Sequence, residues 1–270
     1  MADPVLRIFS YLPNPRVWKA QIVGELCGVG VEVVGDKPAK LADWLWDFDA
    51  RPLSEAERSA YSKLARPGRR GFDVRLFKTD KFLEVHPFGT VPAAFSPDGE
   101  TGIFESNSIL RAVARIGGPE SGLYGRDAYQ ASRIDSFLDA SLVFAREAQV
   151  YLLGLGETTA AIQERMAGAY AFYLDGIERA LGYHGFIAGG ELTLADISFA
   201  CDLAQFLQEQ RRRDTLAALG LTPISDDCAV TYPRAFRHLL ALGERPEFAK
   251  YLGGYLDRYR EEQAASSEAG

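Results

Sequence analysis

The stretch that decides the fold is residues 91–106, which read VPAAFSPDGETGIFES. Two short apolar runs flank the segment Ser96-Pro97-Asp98-Gly99, whose residue types favour a tight turn. This pattern predicts a β-hairpin. Ile109, Leu110 and Val113 follow directly at helical spacing, so this part of the chain predicts a β-β-α unit.

The residues before this segment predict a β-α-β unit. Leu6–Tyr11 and Val31–Val34 have the composition of strands. Between them, Asn14 and Pro15 suit the N-cap and the first turn of a helix. That helix has one apolar face, formed at four-residue spacing by Trp18, Ile22 and Leu26. A β-α-β unit normally leaves two parallel strands side by side.

Beyond Gly117-Gly118-Pro119 the chain shows only helical periodicity. We therefore predict an α/β N-terminal domain over residues 1–117, an all-helical domain over residues 121–258 and a disordered tail over residues 259–270. The first domain carries an insertion at about residues 35–78, because the connection between its two units is much longer than usual.

The insertion contains aromatic and basic residues. Trp44, Trp46 and Phe48 predict burial against the body of the domain, since so much aromatic surface favours packing. Ser54 and Glu57 have the spacing of a capping box. Five basic residues and one acidic residue between positions 66 and 78 give a local charge of 5 − 1 = +4, which suggests a mobile basic arm in which Arg69 or Arg70 selects an acidic ligand group. The alternative is that the insertion is a solvated surface element whose aromatic residues pack on the outside of the domain.

Composition excludes several classes of protein. The chain has 270 residues and a net charge of −7, which disfavours non-specific nucleic-acid binding. No apolar run approaches the roughly 18 residues of a membrane span, and the first residues lack the pattern of a signal peptide. Three scattered cysteines and three scattered histidines predict neither a disulfide framework nor a metal site, and they favour a cytoplasmic location.

Two dipeptides offer chemistry, each with a structural alternative. Val91-Pro92 opens a strand with a residue that cannot donate to the sheet. It is either an ordinary trans turn or a cis bond that leaves the Val91 main chain free to pair with a ligand peptide. Glu105-Ser106 precedes a helix, where Ser106 either caps the helix or anchors a ligand carboxylate beside an acidic group that binds an ammonium. Thr193 and Asp196 form a capping box, so Asp196 is interpreted as structural.

The combination of these motifs resembles the glutathione transferase superfamily. Several segments look most like the glutathione-transferase-like region of elongation factor 1 gamma and its enzymatic relatives. They are HPFGTVP (86–92), FESNSI (104–109), Ser10-Tyr11 with Asn14, and the late segment from Tyr232-Pro233 to Phe248. The resemblance implies a thioredoxin-like domain followed by the all-helical domain.

The resemblance also implies a site for glutathione. Val91 would pair with the cysteinyl backbone of the tripeptide, and Pro92 would be the cis-proline. Glu105 and Ser106 would hold the γ-glutamyl end. His86 and Thr90 are further candidates, on the side of the glycyl carboxylate.

The catalytic position matches the family less closely. Family enzymes activate the thiol with a Tyr, Ser or Cys near the end of the first strand or the start of the first helix, and a hydrogen-bond donor there favours the thiolate. Ser10, Tyr11 and Asn14 are the donors available in this chain. Asn14 lies nearest to the usual serine position and Tyr11 is the next candidate, while Asn14 acting only as a helix cap is the alternative.

Two functions follow from the resemblance. One is an enzyme in which the glutathione thiolate attacks a hydrophobic electrophile or cleaves a bond. The electrophile would lie against helices of the second domain, where Phe137, Phe144 and Tyr151 repeat at seven-residue spacing, a stripe equally typical of a core. The other is a non-catalytic scaffold for protein assembly, and a ligand-carrying or regulatory binding protein is a further option. We expect the protein to have neither the long linker nor the further C-terminal domain of the elongation factor, an expectation that favours the enzyme. A homodimer is implied for these folds.

Overall fold

The computed structural model describes residues 3–68 and 71–268, with side chains described as far as residue 261. The chain divides into two compact units between Gly118 and Pro119. The first unit is an α/β structure and the second is helical. The strands of the first unit are β1 (Leu6–Tyr11), β2 (Val31–Asp36), β3 (Trp44–Trp46), β4 (Arg51–Pro52), β5 (Ala65–Pro67), β6 (Arg75–Lys78), β7 (Ala93–Phe95) and β8 (Gly102–Phe104). Its helices are α1 (Pro15–Cys27), α2 (Glu55–Ala60), α3 (Asp80–Val85) and α4 (Ser106–Ile116).

The main sheet has the strand order β2-β1-β7-β8. β1 pairs with β2 in parallel and with β7 antiparallel, and β7 and β8 form the hairpin. The Asn14 side chain caps α1 by accepting from the Arg16 N–H at 3.0 Å. α1 ends at Cys27, and the residue that caps it is Gly28, whose φ of +68° is accessible to glycine without strain. The predicted β-α-β and β-β-α units are therefore both present.

The insertion forms a second sheet of its own, with the order β4-β3-β6-β5. Its aromatic residues pack on the main sheet, because Trp44 stacks on Phe9 at 5.9 Å between ring centres and Trp46 meets the same ring edge-on at 5.3 Å. The Trp46 Nε1–H also donates to the Leu41 carbonyl at 3.0 Å. Trp44 and Trp46 are buried and Phe48 is half-buried, so the prediction of aromatic burial is confirmed.

The basic segment of the insertion is largely built into this second sheet. Arg66 forms an ion pair with Asp80 at 3.0 Å, and Arg75 donates to the Ala65 carbonyl. Lys78 is buried. The predicted mobile arm is therefore wrong for these three residues, because strand pairing and local acceptors hold them. Arg69 and Arg70 lie outside the described residues, and the hypothesis about them stays a prediction.

The second unit contains the helices α5 (Ala128–Leu153), α6 (Ala160–Tyr183), α7 (Leu194–Phe206), α8 (Arg213–Ala218), α9 (Cys228–Thr231), α10 (Pro233–Gly243) and α11 (Pro246–Glu268). α7 packs against α5, α10 and α11, and almost all of its residues are buried. The predicted capping box at its start is confirmed, since the Asp196 carboxylate accepts from the Thr193 N–H at 2.9 Å and the Thr193 hydroxyl accepts from the Ala195 N–H.

The end of the chain differs from the prediction. α11 continues as far as Glu268, whereas the sequence predicts disorder from residue 259. Tyr259 is buried, and its ring lies 5.7 Å from that of Phe236 on α10. Phe248, Leu252 and Leu256 are buried on the same helix. The spacing of these four residues is that of one face of a helix, and the buried face reaches Tyr259, one residue past the predicted boundary.

Candidate functional site

Strand register brings the three predicted site segments to one end of the main sheet. Ala93, the first residue of β7, lies opposite Phe104, the last residue of β8, and also opposite Phe9 near the end of β1. Val91-Pro92 precedes Ala93, Glu105-Ser106 follows Phe104, and residues 10–14 follow Phe9. The three segments therefore leave the sheet side by side, although nearly a hundred residues separate the first from the last.

The Val91–Pro92 peptide bond is cis, as the resemblance implies. Pro92 is buried, whereas Val91 is half-buried and packs against the aromatic cluster around Phe9. The paired register of β1 and β7 begins only at Ala93. Val91 therefore lies beyond the ladder, at the position where a ligand's own peptide backbone can add to the sheet.

Glu105 has an unusual backbone conformation at the start of α4. Its φ is +64°, the one positive φ among the non-glycine residues that the structure describes. A side chain in this region is strained by about 1–3 kcal/mol, and such strain concentrates at ligand-binding sites. Glu105, rather than Ser106, occupies the N-cap position, and its side chain makes no cap hydrogen bond.

Ser106 is the first residue of α4 and is 6% exposed. The first N–H groups of a helix have no intrahelical acceptor, and the helix dipole places partial positive charge there. The interpretation of Ser106 as a simple N-cap is therefore wrong. Its hydroxyl and N–H lie at a helix terminus that suits a carboxylate.

Asn14 and Ser10 are bonded to each other in the interior of the unit. Both side chains are 0% exposed. The Asn14 Nδ2 group donates to the Ser10 hydroxyl at 3.0 Å, while its Oδ1 accepts from the Arg16 N–H. Because the two polar ends of Asn14 serve the helix cap and Ser10, the cap interpretation explains this residue, and neither side chain is placed to reach a ligand thiol.

Tyr11 is the remaining predicted donor at this end of the sheet. It is half-buried, and it packs against the same aromatic cluster as Val91. β1 continues for two residues beyond Phe9, the last of its residues that pairs with β7, so Tyr11 lies at the same end of the sheet as Val91. Tyr11 is therefore the remaining donor candidate at that end.

His86 and Thr90 differ in what they can contact. His86 is 1% exposed, and its ring lies 4.7 Å from that of Phe95 and 5.3 Å from that of Phe82. Burial lowers the pKa of His86 to about 4, so the ring is neutral near pH 7. A buried neutral ring is unsuited to binding a glycyl carboxylate, which argues against His86. Thr90 is half-buried beside Val91.

Sequence reasoning missed a buried pair between the two helices that begin at the site. The Lys19 ammonium of α1 donates to the Asn107 Oδ1 of α4 at 2.9 Å, and both side chains are buried. The pair links the N-terminal half of α1 to the first turn of α4. The available signal was a lysine between Trp18 and Ala20 in a helix that is buried over residues 17–20.

The aromatic stripe of the second unit divides into core and surface. Phe144 and Tyr151 are buried, as a core interpretation predicts. Phe137 is half-buried and lines a groove of about 460 Å³ between α5 and α6, with Arg133 and Phe172. The stripe is therefore mainly structural within this unit.

The described part of the chain, residues 3–68 and 71–268, also bears on membrane crossing and metal binding. None of the helices there combines the length and the apolar character needed to cross a membrane. Those residues also hold no cluster of three or more His, Cys, Asp or Glu side chains that could bind a metal ion.

Comparisons with known proteins agree with the predicted resemblance. Residues 160–241 match the family model of the glutathione S-transferase C-terminal domain. A probable elongation factor 1-gamma 2 from Arabidopsis thaliana is 29% identical over 184 residues, which covers 65% of this chain and 40% of that protein. The glutathione S-transferase-like protein FUS3 from Gibberella moniliformis is 32% identical over 133 residues, which covers 47% of this chain and 59% of that protein. The chain spans about two fifths of the length of the elongation factor relatives that it matches.

Solved structures show the same fold. A glutathione S-transferase from Methylobacillus flagellatus with bound glutathione has a TM-score of 0.62 and 16% identity, over 91% of this chain and 98% of that one. At this identity the likeness establishes the fold alone. The predicted fold class, an α/β domain followed by an all-helical domain as in glutathione transferases, is confirmed, and so is the predicted resemblance to that superfamily.

Proposed function

We propose that the first unit binds glutathione and that the protein uses the glutathione thiolate in a transfer or cleavage reaction on a hydrophobic small molecule. The observation that carries the proposal is the register of β1, β7 and β8, which brings Tyr11, Val91 and Glu105-Ser106 to one end of the sheet. These residues supply a thiol donor, a peptide-pairing position and a carboxylate site.

Each group of the tripeptide has a complementary partner in this proposal. The peptide groups of Val91 pair with the cysteinyl backbone, and Pro92 separates Val91 from the first residue of β7. The Ser106 hydroxyl and N–H bind the γ-glutamyl carboxylate at the positive end of α4. The Glu105 carboxylate lies next to that position and suits the γ-glutamyl ammonium. Thr90 contributes on the glycyl side.

Thiol activation is assigned to Tyr11. A free thiol has a pKa of about 8.5, and a donated hydrogen bond stabilises the thiolate and lowers that pKa. The N-termini of α1 and α4 add positive potential at the same end of the sheet. The buried state of Ser10 and Asn14 leaves Tyr11 as the predicted donor that can face a ligand.

A second candidate function is a non-catalytic scaffold for protein assembly. Two observations favour it: the similarity to elongation factor 1-gamma proteins, and the burial of the two donors at the usual catalytic position. The scaffold requires no thiolate. A homodimer and a cytoplasmic location belong to both versions of the proposal, and the three free cysteines fit a reducing compartment.

Calorimetric titration with glutathione tests the binding. We expect the native protein to bind, and Ser106→Ala to weaken binding by about 1–3 kcal/mol through loss of a charge-assisted hydrogen bond. Ser108→Ala removes a hydroxyl from the same helix turn and serves as the matched control, with affinity unchanged. Absence of binding by the native protein at millimolar glutathione would overturn the proposal.

A second measurement separates the enzyme from the scaffold. The ultraviolet absorbance of the thiolate, followed against pH with glutathione bound, gives the pKa of the bound thiol. We expect that pKa to lie well below the free value, together with turnover of chlorodinitrobenzene. Binding with an unshifted thiol pKa and no turnover would favour the scaffold.

A further inference from the structure

A polar pocket of about 410 Å³ lies in the second unit, where α7 ends. The chain continues there from α7 into the 3₁₀ helix Leu207–Arg212. Side chains from the last turn of α5 and from α11 complete the wall of the pocket. The lining residues are Leu152, Gln205, Gln208, Arg211, Arg212 and Tyr255.

The pocket is positively charged in an acidic protein. Two of its lining residues are arginines and none of them is acidic, whereas the whole chain has a net charge of −7. Among the residues whose side chains are described, the Arg212 guanidinium has neither a hydrogen-bond nor an ion-pair partner. The Arg258 guanidinium lies 4.9 Å from the centre of the Tyr255 ring and adds positive charge beside the pocket. Such a concentration of one sign of charge attracts an anion.

The 3₁₀ helix that carries these side chains is fixed by its other residues. The Glu209 carboxylate is 0% exposed, and it accepts from the Tyr151 hydroxyl at 2.7 Å and from the Ser225 N–H at 3.0 Å. The Gln210 Nε2 group donates to the Ser225 hydroxyl at 3.0 Å. Because a 3₁₀ helix has three residues per turn, Gln208 and Arg211 share a face that Glu209 and Gln210 do not occupy. The pocket side chains therefore project from a backbone that is held in place before a ligand binds, which lowers the entropic cost of binding.

Gln208 carries an acceptor that the protein leaves unsatisfied. Its Nε2 group donates to the Ala204 carbonyl at the long distance of 3.4 Å. Its buried Oε1 atom has no hydrogen-bond partner within the described part of the chain. An unsatisfied buried acceptor is unfavourable, so turning this amide towards the pocket costs little. A hydroxyl group of a ligand can then donate to Oε1.

The chemistry of the lining selects the class of ligand. A guanidinium group binds phosphate or carboxylate oxygens with paired hydrogen bonds. Two arginines match the charge of a phosphate monoester, which approaches −2 at neutral pH. Leu152 and the ring of Tyr255 offer an apolar wall to a small organic body, and the two glutamine amides suit hydroxyl groups on it. The volume lies within the range of about 300–1,000 Å³ that is usual for small-molecule sites.

We propose that this pocket binds a phosphate monoester with a hydroxylated body, such as a sugar phosphate. Arg211 and Arg212 bind the phosphate, Gln208 accepts from a hydroxyl group, and the ring of Tyr255 packs on the organic body. The pocket is built from residues of the second unit, so the inference does not rest on the function proposed for the first unit.

Calorimetric titration of the full chain with glucose 6-phosphate tests the site. We expect Arg212→Gln to weaken binding roughly tenfold to a hundredfold, through loss of a charge-assisted hydrogen bond. Arg237→Gln is the matched control, because Arg237 is an exposed arginine of α10 that does not line the pocket, and its loss changes the net charge equally. This control should bind as the native protein does. Both variants should keep the native thermal stability, since both arginines are exposed.

A second variant separates recognition of the organic body from recognition of the phosphate. Gln208→Leu removes the acceptor and keeps both arginines. Its affinity for glucose 6-phosphate should fall roughly twofold to tenfold, the effect of one neutral hydrogen bond. Its affinity for inorganic phosphate should not change. An unchanged affinity for glucose 6-phosphate would refute the role of the hydroxyl groups.

Absence of binding by the native protein at millimolar glucose 6-phosphate would overturn the inference. Equal losses in Arg212→Gln and Arg237→Gln would also overturn it, because they would mean that the overall charge rather than the pocket attracts the anion. Tighter binding of glucuronate, in which a carboxylate replaces the phosphate, would refute the assignment to a phosphate. Failure of the native protein to bind glutathione would leave all of these comparisons unaffected.

Discussion

Replacing Asn14 with alanine should cost folding stability and leave thiol chemistry intact. The substitution removes the N-cap of α1, which is worth about 1 kcal/mol. It also removes the donor to the buried Ser10 hydroxyl, and an unsatisfied buried hydroxyl costs about 1–3 kcal/mol. Together these losses amount to about 2–4 kcal/mol of unfolding free energy, a large fraction of the ordinary total of about 5–15 kcal/mol.

Urea denaturation at neutral pH measures this loss. With a slope of about 2–3 kcal/mol per molar urea, the midpoint should fall by about 1 M. Asn14→Ser is the matched control, because serine keeps the cap acceptor and loses only the amide donor. Its unfolding free energy should lie between those of the native protein and Asn14→Ala.

Tyr11→Phe is the complementary perturbation. It removes only a hydroxyl, so its unfolding free energy should change by no more than about 1 kcal/mol, the net value of one hydrogen bond. The pKa of the bound glutathione thiol should rise towards its free value of about 8.5 in Tyr11→Phe and stay lowered in Asn14→Ala. The reverse result, native stability and a lost thiol shift in Asn14→Ala, would refute the reasoning.

Three further outcomes are expected. Trp46→Ala should lower the unfolding free energy measured by urea denaturation by about 3–5 kcal/mol, because it leaves a cavity in the core shared by the two sheets. A decrease below about 1 kcal/mol would mean that the inserted sheet does not stabilise the unit. Burial lowers the pKa of His86 to about 4 from 6.5, so the unfolded chain takes up a proton that the folded chain does not, and the unfolding free energy should fall as the pH decreases from about 6.5 towards 4. His86→Phe should flatten that slope in denaturation curves recorded across this range, and an unchanged slope would assign it to other groups. The native protein should have the mass of a dimer in light scattering at micromolar concentration, and a monomer mass would contradict the homodimer.

The sequence predicted the elements whose signals lie within a few residues. The Ser96–Gly99 turn, the Asn14 cap and the capping boxes at Ser54–Glu57 and Thr193–Asp196 all form as expected. Their physics is local, because a cap or a turn is completed by hydrogen bonds that reach no further than one helical turn.

Side-chain roles at the candidate site were less predictable. Asn14 has the sequence position of a thiol donor, yet its amide is buried against Ser10. His86 lies next to the predicted loop in sequence, yet its ring is enclosed by Phe82 and Phe95. The residue type shows which chemistry a side chain can perform. Whether a ligand can reach that side chain depends on how distant parts of the chain bury it.

By itself, the sequence determined the α/β-then-helical order, the two units of the main sheet and the segments that form the candidate site. Only the tertiary structure decided that the insertion is a second sheet, that Glu105 adopts a positive φ and that Lys19 donates to Asn107. The physical reason is the range of the interactions. Periodicity and capping act over a few residues, whereas the parallel pairing of β3 with β6 joins residues more than thirty positions apart. Such contacts form only when the whole unit buries its apolar surface. A local sequence pattern therefore does not predict them.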